Sequence, residues 1–271
     1  MNRVKHHFNS IRRRLTPFWQ TIEPWLDPIT ILAWGILLLK YWITGKLYIL
    51  IHPNYFALTI IGGIGLLGMG GVKFWEVLQT YTAESPPARP SQTVQHISLF
   101  PPGWSSVILL FAAILGLLIT PQTFGSQTAL QRGLTESLPV TRTQPQQFRT
   151  AAKPEERSLI EWIRTLNVNP EPDSYKGQAA KVTGFVIYPP SLPQEYLWLS
   201  RFVITCCAAD AYPVGLPVLF PTDSNRKDYP QDSWLEVEGK MTTQTIDGER
   251  RLTIQALKLT PIPEPRNPYE Y

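Results

Sequence analysis

Apolar positions follow two different rhythms along this 271-residue chain. In the first 120 residues they come in long unbroken runs, the pattern of helices that are apolar all round. The runs at 28–43, 55–77 and 104–120 read as three membrane spans, making 28–121 a transmembrane domain. The first run is short for a bilayer unless Lys40 snorkels to the interface and the flanks contribute. Pro121 ends the third. Ahead of them, residues 1–27 form a basic leader, with Val4, Phe8, Ile11 and Leu15 at helical spacing among Arg3, Lys5, Arg12, Arg13 and Arg14. Such a helix either lies on an anionic membrane surface or is a solvated lead-in to the first span. The apolar run starts too late for a cleaved signal peptide, and no small-residue site closes it.

The connection between the first two spans carries His52-Pro53, and Pro53 disfavours helix at the residue before it. His52 is either an interfacial polar residue beside Tyr48 and Tyr55 or a ligand near the membrane surface. The second span holds Gly62, Gly63, Gly65, Gly68, Gly70 and Gly71, which predicts close packing against another helix of this chain or of a partner. The stretch 81–103 is Pro- and Ser-rich and reads as a polar loop, and 122–153 lacks a clear period and reads as a linker.

From residue 154 the rhythm changes. A short helix is expected over 155–166, then β-type runs at 178–188, 196–208, 215–220, 234–241 and 251–259. Leu235, Val237 and Met241 alternate with Glu236, Glu238 and Lys240, the signature of a half-buried strand. Asp247-Gly248 marks a hairpin turn between the last two runs. The segment 154–271 is therefore expected to be a small all-β, OB-like barrel with one preceding helix, a β-sandwich being the alternative. Its tail, PIPEPRNPYEY, is too Pro-rich for regular structure and is expected to lie extended along the domain.

Charge separates the same two parts. Residues 1–120 hold 9 Lys or Arg against 4 Asp or Glu, and residues 121–271 hold 16 against 17. The overall excess of positive charge thus belongs to the membrane part. With basic residues crowding the N-terminal side of the first span, that end is expected in the cytoplasm and the β domain outside it. The near-neutral β domain offers no basic groove, so nucleic acid is excluded as a partner.

The chain has two cysteines, Cys206 and Cys207, adjacent in RFVITCCAADAYPVGLP. On a strand they would face opposite ways, Cys206 with Phe202 and Ile204, Cys207 with Val203 and Thr205. Three readings stand side by side. The pair is buried as two small hydrophobes; it holds a soft metal together with Asp210; or it cycles as a disulfide. Adjacent Cα atoms sit about 3.8 Å apart, below the roughly 4.4–6.8 Å of ordinary disulfides, so that bond would be strained and easily reduced. A metal would be zinc or another soft ion, with Cys206, Cys207 and Asp210 as the clustered ligands and the rest supplied from outside. Asp210 alternatively accepts backbone N–H bonds in the turn that follows it. No catalytic set rises above chance in this part of the chain, which contains no His, so an enzyme is not expected.

With RFVITCCAADAYPVGLPV, SWLEVEGKM and NPYEY in view, the chain resembles the YcgQ-like family of bacterial membrane proteins, whose function is unassigned. Members join N-terminal membrane helices to a C-terminal β domain bearing a Cys-Cys-x-Ala-Asp-Ala segment, which falls here on Cys206, Cys207, Ala209, Asp210 and Ala211. The resemblance implies a multi-span permease as partner. Many relatives carry a His- and Cys-rich loop between their spans, whereas the 81–103 loop here has only His96 and no Cys. The expectation is a non-catalytic accessory or substrate-recognition subunit of a permease in the bacterial inner membrane, presenting the vicinal pair to metal ions. A thiol–disulfide redox protein is the alternative.

Overall fold

The computed structural model describes residues 2–82, 103–134 and 153–271, with side chains from residue 21 onward. His96 with most of the expected 81–103 loop, and the expected linker beyond residue 134, lie outside the described residues. The chain forms two units, residues 1–47 with 54–121, and residues 48–53 with 122–271.

In the first unit, helix α1 (Asn2–Ile43) is one 42-residue element, so the leader and the first span are continuous. A single turn, α2 (Leu47–Leu50), follows it, and α3 (Phe56–Thr82) runs back along it. The pairs show the antiparallel sense: Trp25 meets Phe74 and Tyr81 with ring centroids 5.3 and 5.5 Å apart, and Leu32 lies over Gly70 and Leu39 over Gly63. A side chain at Gly70 would collide with Leu32 of α1 and one at Gly63 would press on Leu39, so glycine lets the backbones close there. Helix α4 (Trp104–Leu118) lies parallel to α1. Thr30 and Trp34 donate to the carbonyls of Ser106 and Leu109 (both 3.1 Å), and Tyr41 and Lys40 to those of Gly116 and Leu117 (both 2.5 Å). Lys40 therefore caps the carbonyl end of α4, where a cation is favoured. Two stretches, Thr21–Ile43 and Pro53–Thr82, are long and apolar enough to cross a membrane, and the 15-residue α4 is apolar but shorter. Leu58, Ile61, Ile64 and Val72 of α3 are more than half exposed, which a core helix of a soluble protein would not tolerate.

The second unit is built on a six-stranded sheet: β1 (Ala179–Ile187), β2 (Tyr196–Val203), β3 (Tyr212–Leu219), β4 (Trp234–Ile246), β5 (Glu249–Ile262) and β6 (Tyr269–Glu270). The order is β1-β4-β5-β3-β2-β6, and β1 also pairs β2. The expected hairpin between β4 and β5 turns at Asp247 and Gly248, both with positive φ. Gly239 has a structural reason at the bulge beside it, because a Cβ there would run into the carbonyl of Gln255.

Alternation along the strands sorts side chains into two layers. The inner one holds Ala180, Val182, Leu197, Leu199, Val214, Leu235, Val237 and Leu252. It is closed by α6 (Leu159–Val168), which presents Leu159, Ile160, Trp162 and Ile163. Ser158 and Glu161 form a capping box that starts this helix just after the Pro154–Glu156 turn. The opposite layer holds Phe185, Ile187, Trp198 and Phe202 from β1 and β2 together with Tyr269 of β6, and Ile49 and Ala129 from outside the sheet.

Two expectations change here. Part of the expected linker is helix α5 (Ser126–Arg132), docked by Asp232, which accepts from the N–H of Ser126 at 2.6 Å and from its hydroxyl at 2.9 Å. Its few apolar residues, notably Ala129, hid it from a periodicity test. The Pro-rich tail ends in a strand, β6, which pairs in parallel with Phe202 and Val203 of β2.

Candidate functional site

The strand carrying the cysteines stops earlier than the sequence implied. β2 ends at Val203, paired with Tyr212, so residues 204–211 are the loop between β2 and β3. Asp210 causes the break. Its carboxylate accepts from the backbone N–H of Thr205 (3.3 Å) and of Cys206 (2.9 Å), and also from the Thr205 hydroxyl. These donors are thereby lost to a sheet ladder. Asp210 thus bonds the residues before it, not a following turn, and a short turn Ala208–Asp210 leads into β3.

Off the strand, the two thiols no longer point to opposite faces. Neither is bridged, Cys206 is exposed and Cys207 half-buried, so the pair is not packed away as two small hydrophobes. Their Sγ atoms are 3.7 Å apart. The hydrogen bond to Asp210, and after it the one with Cys207, push the Cys206 thiol up to about 11. Asp210 itself is raised by burial but more strongly lowered by the bonds from Thr205 and Cys206, so it stays ionised. At neutral pH the site is a carboxylate clasping a protonated thiol.

Three distant segments grip this loop. Ile51 pairs with Cys207 in an antiparallel bridge, and the His52 N–H donates to the Cys206 carbonyl at 3.0 Å. Burial lowers the His52 imidazole, opposed by the Asp210 charge, and its ring meets the edge of Tyr271 at 4.6 Å. Arg132 of α5 donates to the Ala211 carbonyl, and the Ile204 N–H donates to Glu270 of β6 at 3.2 Å. The site therefore has a histidine after all, from the connection after α1, a segment with no periodicity to announce it. Of the supporting residues, only the tail gave a signal in sequence.

Arg201, near the end of β2, serves the tail and not the thiols. It bonds Glu270 at 2.9 Å and the carbonyl of Asn267 at 2.9 Å, latching the tail. Among the described residues no group of three or more His, Cys, Asp or Glu is arranged to hold a metal ion, so Cys206, Cys207 and Asp210 are neighbours without forming a closed cage.

The comparisons with known proteins fit this loop-bearing domain. Residues 150–271 match the family model of the DUF1980 C-terminal domain. A stretch of 103 residues is 28% identical to the UPF0703 protein YcgQ of Bacillus subtilis (strain 168), covering 37% of this chain and 35% of that protein. The match thus spans about a third of that relative's length. The match of residues 150–271 to the DUF1980 C-terminal domain bears out the chain's resemblance to the YcgQ-like family.

Proposed function

We propose that this protein is a non-catalytic accessory subunit of a membrane permease, and that Cys206 and Cys207 take a soft metal ion as cargo. The observation that carries the reading is the 3.7 Å between two accessible thiols. Two thiolates on one tetrahedral zinc, each at about 2.3 Å, stand about 3.8 Å apart, whereas a disulfide needs about 2.0 Å. The pair is thus already spaced as a bidentate chelate.

In this reading α1, α3 and α4 are three spans and the β domain is an OB-like barrel. For the spans, α4 lies level with residues 30–41 of α1, and α3 from Phe56 to Trp75 runs about 29 Å along its axis, close to one hydrocarbon thickness, with exposed Tyr55 just ahead of it and exposed Trp75 at the far end. For the barrel, the strand order returns to its start because β1 pairs both β4 and β2. Residues 48–53 belong to the same unit as 122–271, which favours placing both on the outer face of the inner membrane. For the permease, Gly62, Gly65, Gly68 and Gly71 leave open space on α3 where a partner helix could approach.

The test is metal loading of the full chain in detergent micelles, kept reduced with a non-chelating phosphine. One Zn(II) per chain, lost in Cys206→Ser and in Cys207→Ser, is the expected result. No metal bound, with a readily formed two-hydrogen mass loss on mild oxidation, would favour the redox alternative.

A further inference from the structure

Oxidation of the thiol pair would move more than sulfur. The Sγ atoms are 3.7 Å apart and must close to about 2.0 Å to bond. Side-chain rotation alone does not close the ring without strain, because adjacent Cα atoms sit about 3.8 Å apart, inside the roughly 4.4–6.8 Å that ordinary disulfides span. The peptide unit between Cys206 and Cys207 has to turn, about the ψ of Cys206 and the φ of Cys207. That unit is one the distant chain holds. Its carbonyl, on Cys206, accepts from the His52 N–H at 3.0 Å, and Cys207 pairs with Ile51. Turning the unit aims the carbonyl away from His52. The Cys206 N–H lies in the preceding peptide, so its bond to Asp210 survives the turn. Ile49 anchors the same connection separately, buried in the opposite layer, which confines the release to Ile51 and His52.

We infer that Cys206 and Cys207 are a reversible oxidation site, and that closing their disulfide frees Ile51 and His52 from the loop between β2 and β3. The co-reactant is a disulfide, R–S–S–R. The exposed Cys206 gives its proton to solvent and attacks one of its sulfurs, expelling R–S⁻. Cys207 then loses its proton and attacks the Cys206 Sγ, expelling the second R–S⁻. Both leaving thiolates take up protons. Two electrons pass from the pair to R–S–S–R, which ends as two R–SH. The hydrogen bond to Asp210, and after it the one with Cys207, holds the Cys206 proton in place, so the first step is slow at neutral pH and quickens with a good leaving thiol. The strained ring reopens readily in excess thiol. Metal loading of the reduced pair is a separate matter; a closed ring only withholds both thiolates from an ion.

The experiment treats the reduced full chain in micelles with dithiodipyridine, an aromatic disulfide, and follows released thione, intact mass and amide hydrogen exchange. The expected result is two thiones per chain, a mass lower by two hydrogens and no aryl group retained. The His52 N–H should then exchange roughly tenfold faster on losing its acceptor, while the Cys206 N–H keeps its protection. Excess dithiothreitol should restore the starting pattern. Cys206→Ser and Cys207→Ser should each retain at most one aryl group and leave the His52 N–H as it was. Two aryl groups retained on the wild type would overturn the oxidation site. A closed disulfide with the His52 N–H still protected would overturn the release. Faster exchange at Val182 and Leu252 as well would mean that the whole domain had opened, which also overturns a local release. Zn(II) loading of the same reduced sample reports on the metal reading whichever way the oxidation goes.

Discussion

The two apolar layers of the β domain are made of similar residues but assembled differently. The inner layer draws its buried residues from one continuous stretch between Leu159 and Ala256. The outer one spans Ile49 to Tyr269, and Phe124, Leu134 and Tyr271 pack on it. Inside, each strand brings its own partners close in sequence. Outside, the strands present Phe185, Trp198 and Phe202, and the cover arrives from three remote segments. The thiol loop is held by those same segments. A local core stabilises the domain; a core collected from afar also ties the site to the rest of the chain.

The comparison breaks first at its largest residues. Trp162→Ala in the inner layer and Phe202→Ala in the outer should each cost about 3–5 kcal/mol of stability. Thermal or denaturant unfolding of the full chain in micelles measures both. If Phe202→Ala costs less than about 1 kcal/mol, the outer layer is only a loose cover. Nearly as large is the effect expected at the tail. Arg201 and Glu270 form a mostly buried ion pair, and Arg201→Ala leaves that carboxylate without its partner, a change that typically costs about 3–5 kcal/mol. Hydrogen exchange should then rise at Tyr269 and Ile204 before it rises at Val182 or Leu252.

The same contrast explains what could be read in the sequence. Leu235, Val237 and Met241 alternate with charges because β4 buries one face there, and that strand was legible. YLWLSRFV of β2 shows no alternation because both faces are covered: Leu197 and Leu199 inward, Trp198 and Phe202 outward. An unbroken run announces a second cover but not where it comes from. His52 and Ala129 had no local pattern to reveal them. The cysteines were legible as chemistry and misplaced as geometry, since extrapolating a strand past Val203 takes no account of a carboxylate five residues after Thr205 that captures its N–H.

A smaller effect separates the layers at a helix end. Ser158 caps α6, the lid of the inner layer, so Ser158→Ala should cost about 1 kcal/mol. It should do so without changing metal loading at Cys206, whereas Ile49→Ala, on the outer layer beside the loop, should alter both.

The finest distinction is one of sign, between two carboxylates: that of Asp210, which holds the loop, and that of Glu270, which pairs with Arg201 on the tail beside it. Glu270 is raised, chiefly by burial, with Arg201 opposing. The folded tail therefore prefers it protonated. Its favourable contribution is complete below the unfolded carboxylate range, near about 4.3, and is lost as pH rises through the higher folded value. Asp210 has the opposite sign, lowered because donors from Thr205 and Cys206 outweigh burial. Its contribution is present above about 3.9 and is lost as pH falls through the folded value. Protection factors corrected for intrinsic exchange should therefore move oppositely in mildly acidic solution. The Ile204 N–H bonded to the Glu270 backbone carbonyl weakens as pH rises and the tail loosens, and the Cys206 N–H bonded to the Asp210 carboxylate weakens as pH falls. Glu270→Gln should flatten the first profile alone and Asp210→Asn the second alone. Parallel movement of the two amides would mean that loop and tail open as one unit, and that the outer layer, though gathered from distant segments, is as cooperative as the inner one.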